Sequence, residues 1–288
     1  MTFKEKLRSD KFLVTSEIGP PKGIDVHEAL EDADLLKDKV DAINVTDIQS
    51  SVMRLGSLAV CRLLKERGHE PIYQLTCRDR NRLALQSDLL SAAVLGIENV
   101  LLLTGDFTTL GDHPQAKAVF DIGSVQLIRA AKTLMEGKDM AGNELKGKPS
   151  FCMGAVVNPG ADPLEPEIMK MEKKIRAGAE FFQTQAVYDI EQFKRFLDMS
   201  KGFDTVIMAG IVMLKSAGMA KFMNKNVSGV FVPESLIKEM EETKNKAETS
   251  IEIAARLIKE LKPLCRGIHL MPLGWDKKVP AVLEKAGI

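Results

Sequence analysis

The sequence has no surplus of either charge: 40 lysines and arginines are matched by 40 aspartates and glutamates. Nucleic-acid phosphates are bound by basic faces, so a neutral chain argues against nucleic acid as the main partner. No apolar run approaches the roughly 18 residues that begin to suggest a membrane helix, so no membrane span is expected. The N-terminus, Met1-Thr-Phe-Lys-Glu-Lys-Leu-Arg8, is charged and has no apolar signal-peptide core. A cytoplasmic protein is the expectation. Cysteine is sparse, at positions 61, 77, 152 and 265, with no CxxC and no metal-ligand spacing. The four histidines, at 27, 69, 113 and 269, are equally scattered. Buried reduced thiols are expected, and no metal or iron–sulfur site carried by this chain. No linker-like stretch interrupts the 288 residues, and 45% hydrophobic content is enough for a sizeable core. Residues 1–288 are therefore read as one domain, since α/β barrels of roughly 250 residues fold as a unit.

What is present is a series of short apolar runs that stop abruptly. The clearest is Asn99-Val-Leu-Leu-Leu-Thr-Gly-Asp106, five apolar or β-branched residues broken by Gly-Asp. It reads as a buried parallel strand with a carboxylate just past its C-terminal end. Similar strands are read over 12–18, 41–47, 71–78, 151–157, 181–188, 205–213 and 267–273. Helical spacing lies between them. One helix is expected from Val26 to Lys39 with Asp25 as N-cap, one carries Leu55, Leu58, Ala59 and Leu63, and one spans Arg82 to Leu95. Further helices are read around Leu127–Met135, 164–177, 190–199, 216–225, 234–243, 251–261 and 277–285. The polar stretch 138–148 suggests a small hairpin, and 107–121 a loop longer than most connections.

Eight strands alternating with helices imply a parallel sheet with right-handed crossovers. Eight such units in this length imply a (β/α)8 TIM barrel, with a doubly wound open sheet as runner-up. The runner-up is weakened because no GxGxxG follows the first strand.

In a barrel the C-terminal strand ends form one mouth, and ligands bind there. Glu17, Thr46, Thr76, Asp106, Asn158 and Gln185 stand at six of those ends. Each alone is commonly a turn or cap residue, so the pattern locates a site without defining its chemistry. Glu17 is flanked by Ile18, Gly19 and two prolines; a carboxyl desolvated there can hold a proton, as a general acid must. Asp106, after a Thr-Gly turn, is expected to be ionised. Glutamines 183 and 185, inside a strand, need partners if they enter a core.

Several segments, in order, resemble the methylenetetrahydrofolate reductase family from about residue 12 to 288. They are Ser16-Glu-Ile-Gly-Pro-Pro21, Asn44-Val-Thr46, Gln74-Leu-Thr-Cys77, Leu103-Thr-Gly-Asp106, Lys174-Ile-Arg-Ala-Gly-Ala179 and Gln183-Thr-Gln-Ala-Val-Tyr-Asp189. The resemblance implies a (β/α)8 barrel that binds FAD, rather than FMN, and reduces 5,10-methylenetetrahydrofolate to 5-methyltetrahydrofolate by hydride transfer from flavin N5. It implies that Glu17 protonates folate N10 and that Asp106 contacts the pterin and flavin. Gln185 is implied as a pterin partner, and Thr46, Gly105, Glu167 and Lys174 as holding FAD. The positions of Gln74 and Thr104 also face the flavin in the family, which has histidine and arginine there. Ile18-Gly19, Ala217 and Leu273-Gly-Trp275 depart from it as well. These departures cluster on nicotinamide and flavin contacts, so direct use of NAD(P)H does not follow. The chain is more similar to the reductases of anaerobes using the reductive acetyl-CoA route, whose electrons often come from a partner subunit carrying zinc or iron–sulfur centres. A homo-oligomer is left open. Two other readings also stay open: a non-redox folate-binding subunit, and a pterin-dependent methyltransferase on the same fold.

Overall fold

The apolar runs become strands buried on both sides. In the computed structural model, which describes residues 1–288, all six residues of β1 (Leu13–Ile18) and of β3 (Pro71–Thr76) are buried. Such burial explains why the sequence shows runs rather than alternation: one strand face meets the interior and the other meets helices. The remaining strands are β2 (Ala42–Val45), β4 (Asn99–Leu103), β5 (Cys152–Val157), β6 (Phe181–Ala186), β7 (Val206–Val212) and β8 (Gly267–Met271). Each pairs in parallel with the next, and β8 pairs with β1 to close an eight-stranded barrel. The TIM-barrel expectation holds, and the open sheet is excluded.

The surrounding helices are α2 (His27–Leu35), α3 (Ser57–Glu66), α4 (Arg82–Val94), α5 (Ser124–Met135), α6 (Glu165–Ala177) and α7 (Ile190–Ser200). They are followed by α8 (Ala217–Asn226), α9 (Glu234–Glu242), α10 (Lys246–Leu261) and α11 (Val279–Ala286). No helix is long and apolar enough to cross a membrane. All ten were expected, but α2 ends at Leu35 rather than Lys39, α3 starts at Ser57 and leaves Leu55 outside it, and α10 starts at Lys246 rather than near 251. Asp25 is a correction: Val26 is the N-cap of α2 and makes no side-chain cap, while Asp25 Oδ1 accepts from the His27 amide at 3.0 Å. The stretch 138–148 contains a single antiparallel bridge, Lys138 to Glu144, held by Asp139 and Asn143. No helix was expected at the charged N-terminus. There Thr2 and Glu5 form a reciprocal capping box that starts the short α1 (Phe3–Leu7).

Strand side chains alternate, which sorts the interior into layers. The lowest layer is apolar: Leu13, Ala42, Ile72, Leu101, Cys152, Phe181 and Met208, one from each of β1–β7. α1 plugs it from below with Phe3, whose ring meets Phe181 edge-on at 5.4 Å. Gly154 makes room, since a Cβ there would lie 2.2 Å from the Phe181 ring. Two residues further along β1, β2, β6 and β8 the layer turns polar, with Thr15, Asn44, Gln183 and His269. Two more bring Glu17, Thr46 and Gln185 to the mouth.

Candidate active site

The C-terminal mouth opens into a cavity of about 430 Å³. All nine residues singled out from the sequence line it: Glu17, Thr46, Gln74, Thr104, Gly105, Asp106, Glu167, Lys174 and Gln185. The strand-end residues Thr76 and Asn158 do so too. Thr76, however, is committed to structure, donating its hydroxyl to buried Asp47 at 2.8 Å. Arg80 also grips Asp47, at 2.7 Å.

Glu17 lies on one wall, 6% exposed. Gln49 Nε2 donates to its Oε1 at 3.2 Å, and His269 Nε2 stands 3.7 Å from its Oε2. Below it, Asn44 and Gln183 pair amide to amide at 2.7 and 3.0 Å, and Gln183 Nε2 also donates to Thr15 Oγ1 at 3.1 Å. The Gln183 side chain is thereby satisfied within the barrel, as its place in a core requires. Gln185 instead faces the open mouth and is exposed. Beside Glu17, burial pushes the Asp276 carboxyl up to about 6, with Asp32 and Glu17 adding repulsion.

Asp106 stands on another part of the rim. Its carboxylate is exposed and has no side-chain partner, while its backbone carbonyl is fixed by Ser51 Oγ at 3.3 Å and Arg78 Nη1 at 3.3 Å. Gly105 makes the turn with φ of 90°, and a Cβ there would crowd Thr76 and Arg78 at 3.1 Å. Arg78 is almost fully buried. It braces the neighbouring loop by donating to Ser51 Oγ at 2.9 Å and to the Ile48 carbonyl at 3.2 Å. That loop carries three non-glycine residues with left-handed backbone, Ile48, Ser50 and Ser51. Such strain persists where the surroundings over-determine it, and it clusters at ligand sites.

Lys174, on α6, enters from the β5–β6 side. It is 2% exposed, and its Nζ donates to the Val156 carbonyl at 2.6 Å. No carboxylate pairs with it. Burial pushes the amine down to about 8, against the opposing pull of Glu167. Glu167 Oε1 itself accepts from the Asn158 amide at 3.1 Å. The Thr46 hydroxyl is buried and has no partner. A cationic amine without a counter-ion and an unspent hydroxyl are a donor set that fits an anionic, ribose-bearing cofactor. The cavity can therefore hold an anion on one side and present a buried carboxyl and an open carboxylate on the other.

The family model described as methylenetetrahydrofolate reductase matches residues 2–287. The chain belongs to the methylenetetrahydrofolate reductase family. Among its relatives, methylenetetrahydrofolate reductase 2 of Schizosaccharomyces pombe is 23% identical over 257 residues, covering 81% of this chain and 38% of the relative. The 5,10-methylenetetrahydrofolate reductase of Salmonella typhimurium is 26% identical, covering 86% of this chain and 80% of the relative. The chain thus spans under two fifths of the yeast relatives it matches and most of the bacterial one. A solved structure of an uncharacterised Clostridium thermocellum protein, which binds two copies of 5-methyl-5,6,7,8-tetrahydrofolic acid, shares the fold with a TM-score of 0.65 and 16% identity. That match covers 98% of this chain and 96% of that one.

For this member of the reductase family, two residues at the site were missed in the sequence. Gln49 is a loop residue with no pattern around it. His269 looked like one of four scattered histidines, yet β8 reads Gly-Ile-His-Leu-Met, and Ile268 and Leu270 belong to the shell packed by the helices. The period of two alone would have turned His269 inward.

Proposed function

We propose that this chain reduces 5,10-methylenetetrahydrofolate to 5-methyltetrahydrofolate in the cytoplasm, with FAD as cofactor and a partner subunit as electron source. The observation that carries the reading is the convergence on one cavity of all nine positions that the family resemblance singles out, seven of them with the family's residue, in a chain of this family. The product would be the pterin that the Clostridium thermocellum protein on this fold binds.

Lys174, Glu167, Thr46 and Gly105 would hold the cofactor, with Gln74 and Thr104 facing its ring. Bound FAD supplies a hydride from its reduced ring. Gln185 and Asp106 hold the pterin. Glu17 gives its proton to N10 of the substrate as the bond between N10 and the bridging carbon breaks. The bridging carbon is left as an iminium on N5, and addition of hydride there completes the methyl group. Glu17, set back from solvent, delivers the proton at N10 without exposing the iminium to bulk water.

The test is an anaerobic absorbance spectrum of the purified chain, with NADH and then methyltetrahydrofolate added, repeated for Glu17→Gln. Flavin absorbance bleached by methyltetrahydrofolate but not by NADH is expected, and in Glu17→Gln no bleaching by folate with the flavin still bound. Bleaching by NADH would remove the partner subunit from the proposal. A colourless chain that takes up no FAD would move the function to a folate-binding subunit or a pterin-dependent methyltransferase.

A further inference from the structure

Glu17 has a second side. Next to the active-site mouth lies another cavity, of about 560 Å³, and Glu17 and Gln49 line both. Its other walls come from Gly19 and Pro21 after β1, from α2, from Arg54 and from the turn after β8. Acids dominate it. Asp25 and Glu28 stand exposed at its edge, Asp276 is half-buried, and Asp32 is 9% exposed. These carboxylates do not converge closely enough to hold a metal ion. Neither inner acid is tightly paired. Lys277 approaches Asp32 Oδ1 only to 3.9 Å, and that buried oxygen has no hydrogen-bond partner, while Glu28 and Glu31 repel it. Lys215 draws on Asp276 but is held elsewhere, donating to the Leu273 carbonyl and lying 5.5 Å over the Trp275 ring. Arg54, the one cation lining the cavity, donates to the Pro20 carbonyl at 3.1 Å. Burial therefore wins at Asp276, which keeps its proton up to about 6, with Asp32 and Glu17 adding to the rise.

We propose that this side cavity is the proton inlet of the site, and that Asp276 passes protons from solvent to Glu17. The proposal deepens the acid role given to Glu17 above and rests on it. Each turnover takes one proton from Glu17: it goes to N10 as the bond between N10 and the bridging carbon breaks, and a carboxylate remains. With cofactor and pterin filling the mouth, that carboxylate has to regain its proton from another side. A polar cavity of this size takes water. Asp276 gives its proton through that water to Glu17 and takes a new one from solvent at the edge, where Asp25 and Glu28 draw in cationic acids. A group poised near 6 can both give and regain a proton close to neutrality. Asp276 also follows a turn in which Leu273 has left-handed backbone, with φ of 53°. Strain of this kind clusters at functional sites.

The test separates the first turnover from those that follow. The chain with its flavin reduced, mixed with methylenetetrahydrofolate in the absence of oxygen, uses the proton already on Glu17. Asp276→Asn, which keeps the shape of the side chain in its turn, should complete that first turnover within about twofold of the wild-type rate. In steady-state turnover with reduced methyl viologen as donor, the same variant should lose about fivefold or more in kcat, with KM within about twofold. Added imidazole, whose cation suits an acidic cavity, should recover the loss, and it should not rescue Glu17→Gln. Asp276→Glu should keep most of the wild-type rate. Asp276→Asn at the wild-type kcat overturns the inlet, as does a loss already present in the first turnover or one that imidazole leaves in place. If the wild-type chain turns over no folate, the proposed function fails, and the 13C carboxyl signal of Asp276 in the labelled wild-type chain decides the inlet separately. A midpoint near 6 supports it, and one at the ordinary value of about 4 overturns it. The same titration decides if Asp276→Asn does not fold.

Discussion

At the scale of single residues, Lys174 governs how the cavity responds to pH. Its amine sits at about 8 rather than 10.5 because burial disfavours the charge. Only the ammonium form attracts an anion, so raising pH through about 8 strips the attraction from the empty cavity. Binding of FAD should therefore weaken as pH rises from roughly 7 to 9. In Lys174→Gln it should be weaker throughout and flat across the same window. Fluorescence titration reads both, and a flat wild-type profile would remove Lys174 from the anion site. The sign for folding is the opposite. Between about 8 and 10.5 the unfolded chain keeps a proton that the folded chain has released, so this group adds stability as pH rises through that window. The strand-end residues Glu17, Thr46, Asp106 and Gln185 could be picked from the sequence because each stands at the end of a strand where barrels bind ligands, whereas Glu167, Gln74 and Thr104 came with the family resemblance. Lys174, on the inner side of a helix, came only with the family motif. The period of two turns His269 inward, but its place beside Glu17 emerged only with β8 lying against β1 and Thr15 opposite it.

Among the elements, the loops after β2 and β4 behave as one unit. Ser51 Oγ donates to the Phe107 carbonyl at 2.9 Å, and Met53 N donates to Asp112 at 3.0 Å. The loops meet so closely that a Cβ on Gly111 would lie 1.8 Å from the Ser51 carbonyl oxygen. Gly111→Ala must therefore push them apart and shift Asp106. The expected result is a loss of roughly 10- to 100-fold in kcat/KM, because small misplacements at a site are expensive in rate. The melting temperature should hardly move, since the barrel core is untouched. Gly56→Ala, where a Cβ meets nothing within 4 Å, is the control. Equal kinetics for the two variants would mean that the loops move independently. The sequence showed a long loop after β4 but not this clasp. The left-handed residues are Ile48, Ser50 and Ser51, and none is the glycine or asparagine that normally marks such backbone. The barrel strands, by contrast, were readable because double-sided burial writes itself as an uninterrupted apolar run.

For the molecule as a whole, the polar layer joins strands distant in sequence: Asn44 and Gln183 are 139 residues apart. Gln183→Leu strands the Asn44 amide and removes a donor from Thr15. An unsatisfied buried polar group costs about 1–3 kcal/mol, so a loss of that order is expected in denaturant unfolding. Combining it with Asn44→Leu should cost clearly less than the two single losses added together, because no amide is then left without a partner. Strict additivity would show that the pair does not act as a unit. The layer also opposes register errors. Shifting β2 or β6 by one residue would turn an amide out among the helices and an apolar side chain into the polar layer.

The barrel closes where β8 lies against β1, and Thr15 and His269 face each other across that seam. In order of synthesis they are 254 residues apart. The first strand, with Glu17, leaves the ribosome long before the histidine that stands beside that carboxyl. Until the eighth strand docks, Glu17 stands beside an empty slot, and neither its burial nor its alignment exists. A nascent or partly folded chain thus carries the carboxyl without its setting, and the site exists only once the ring of strands has shut.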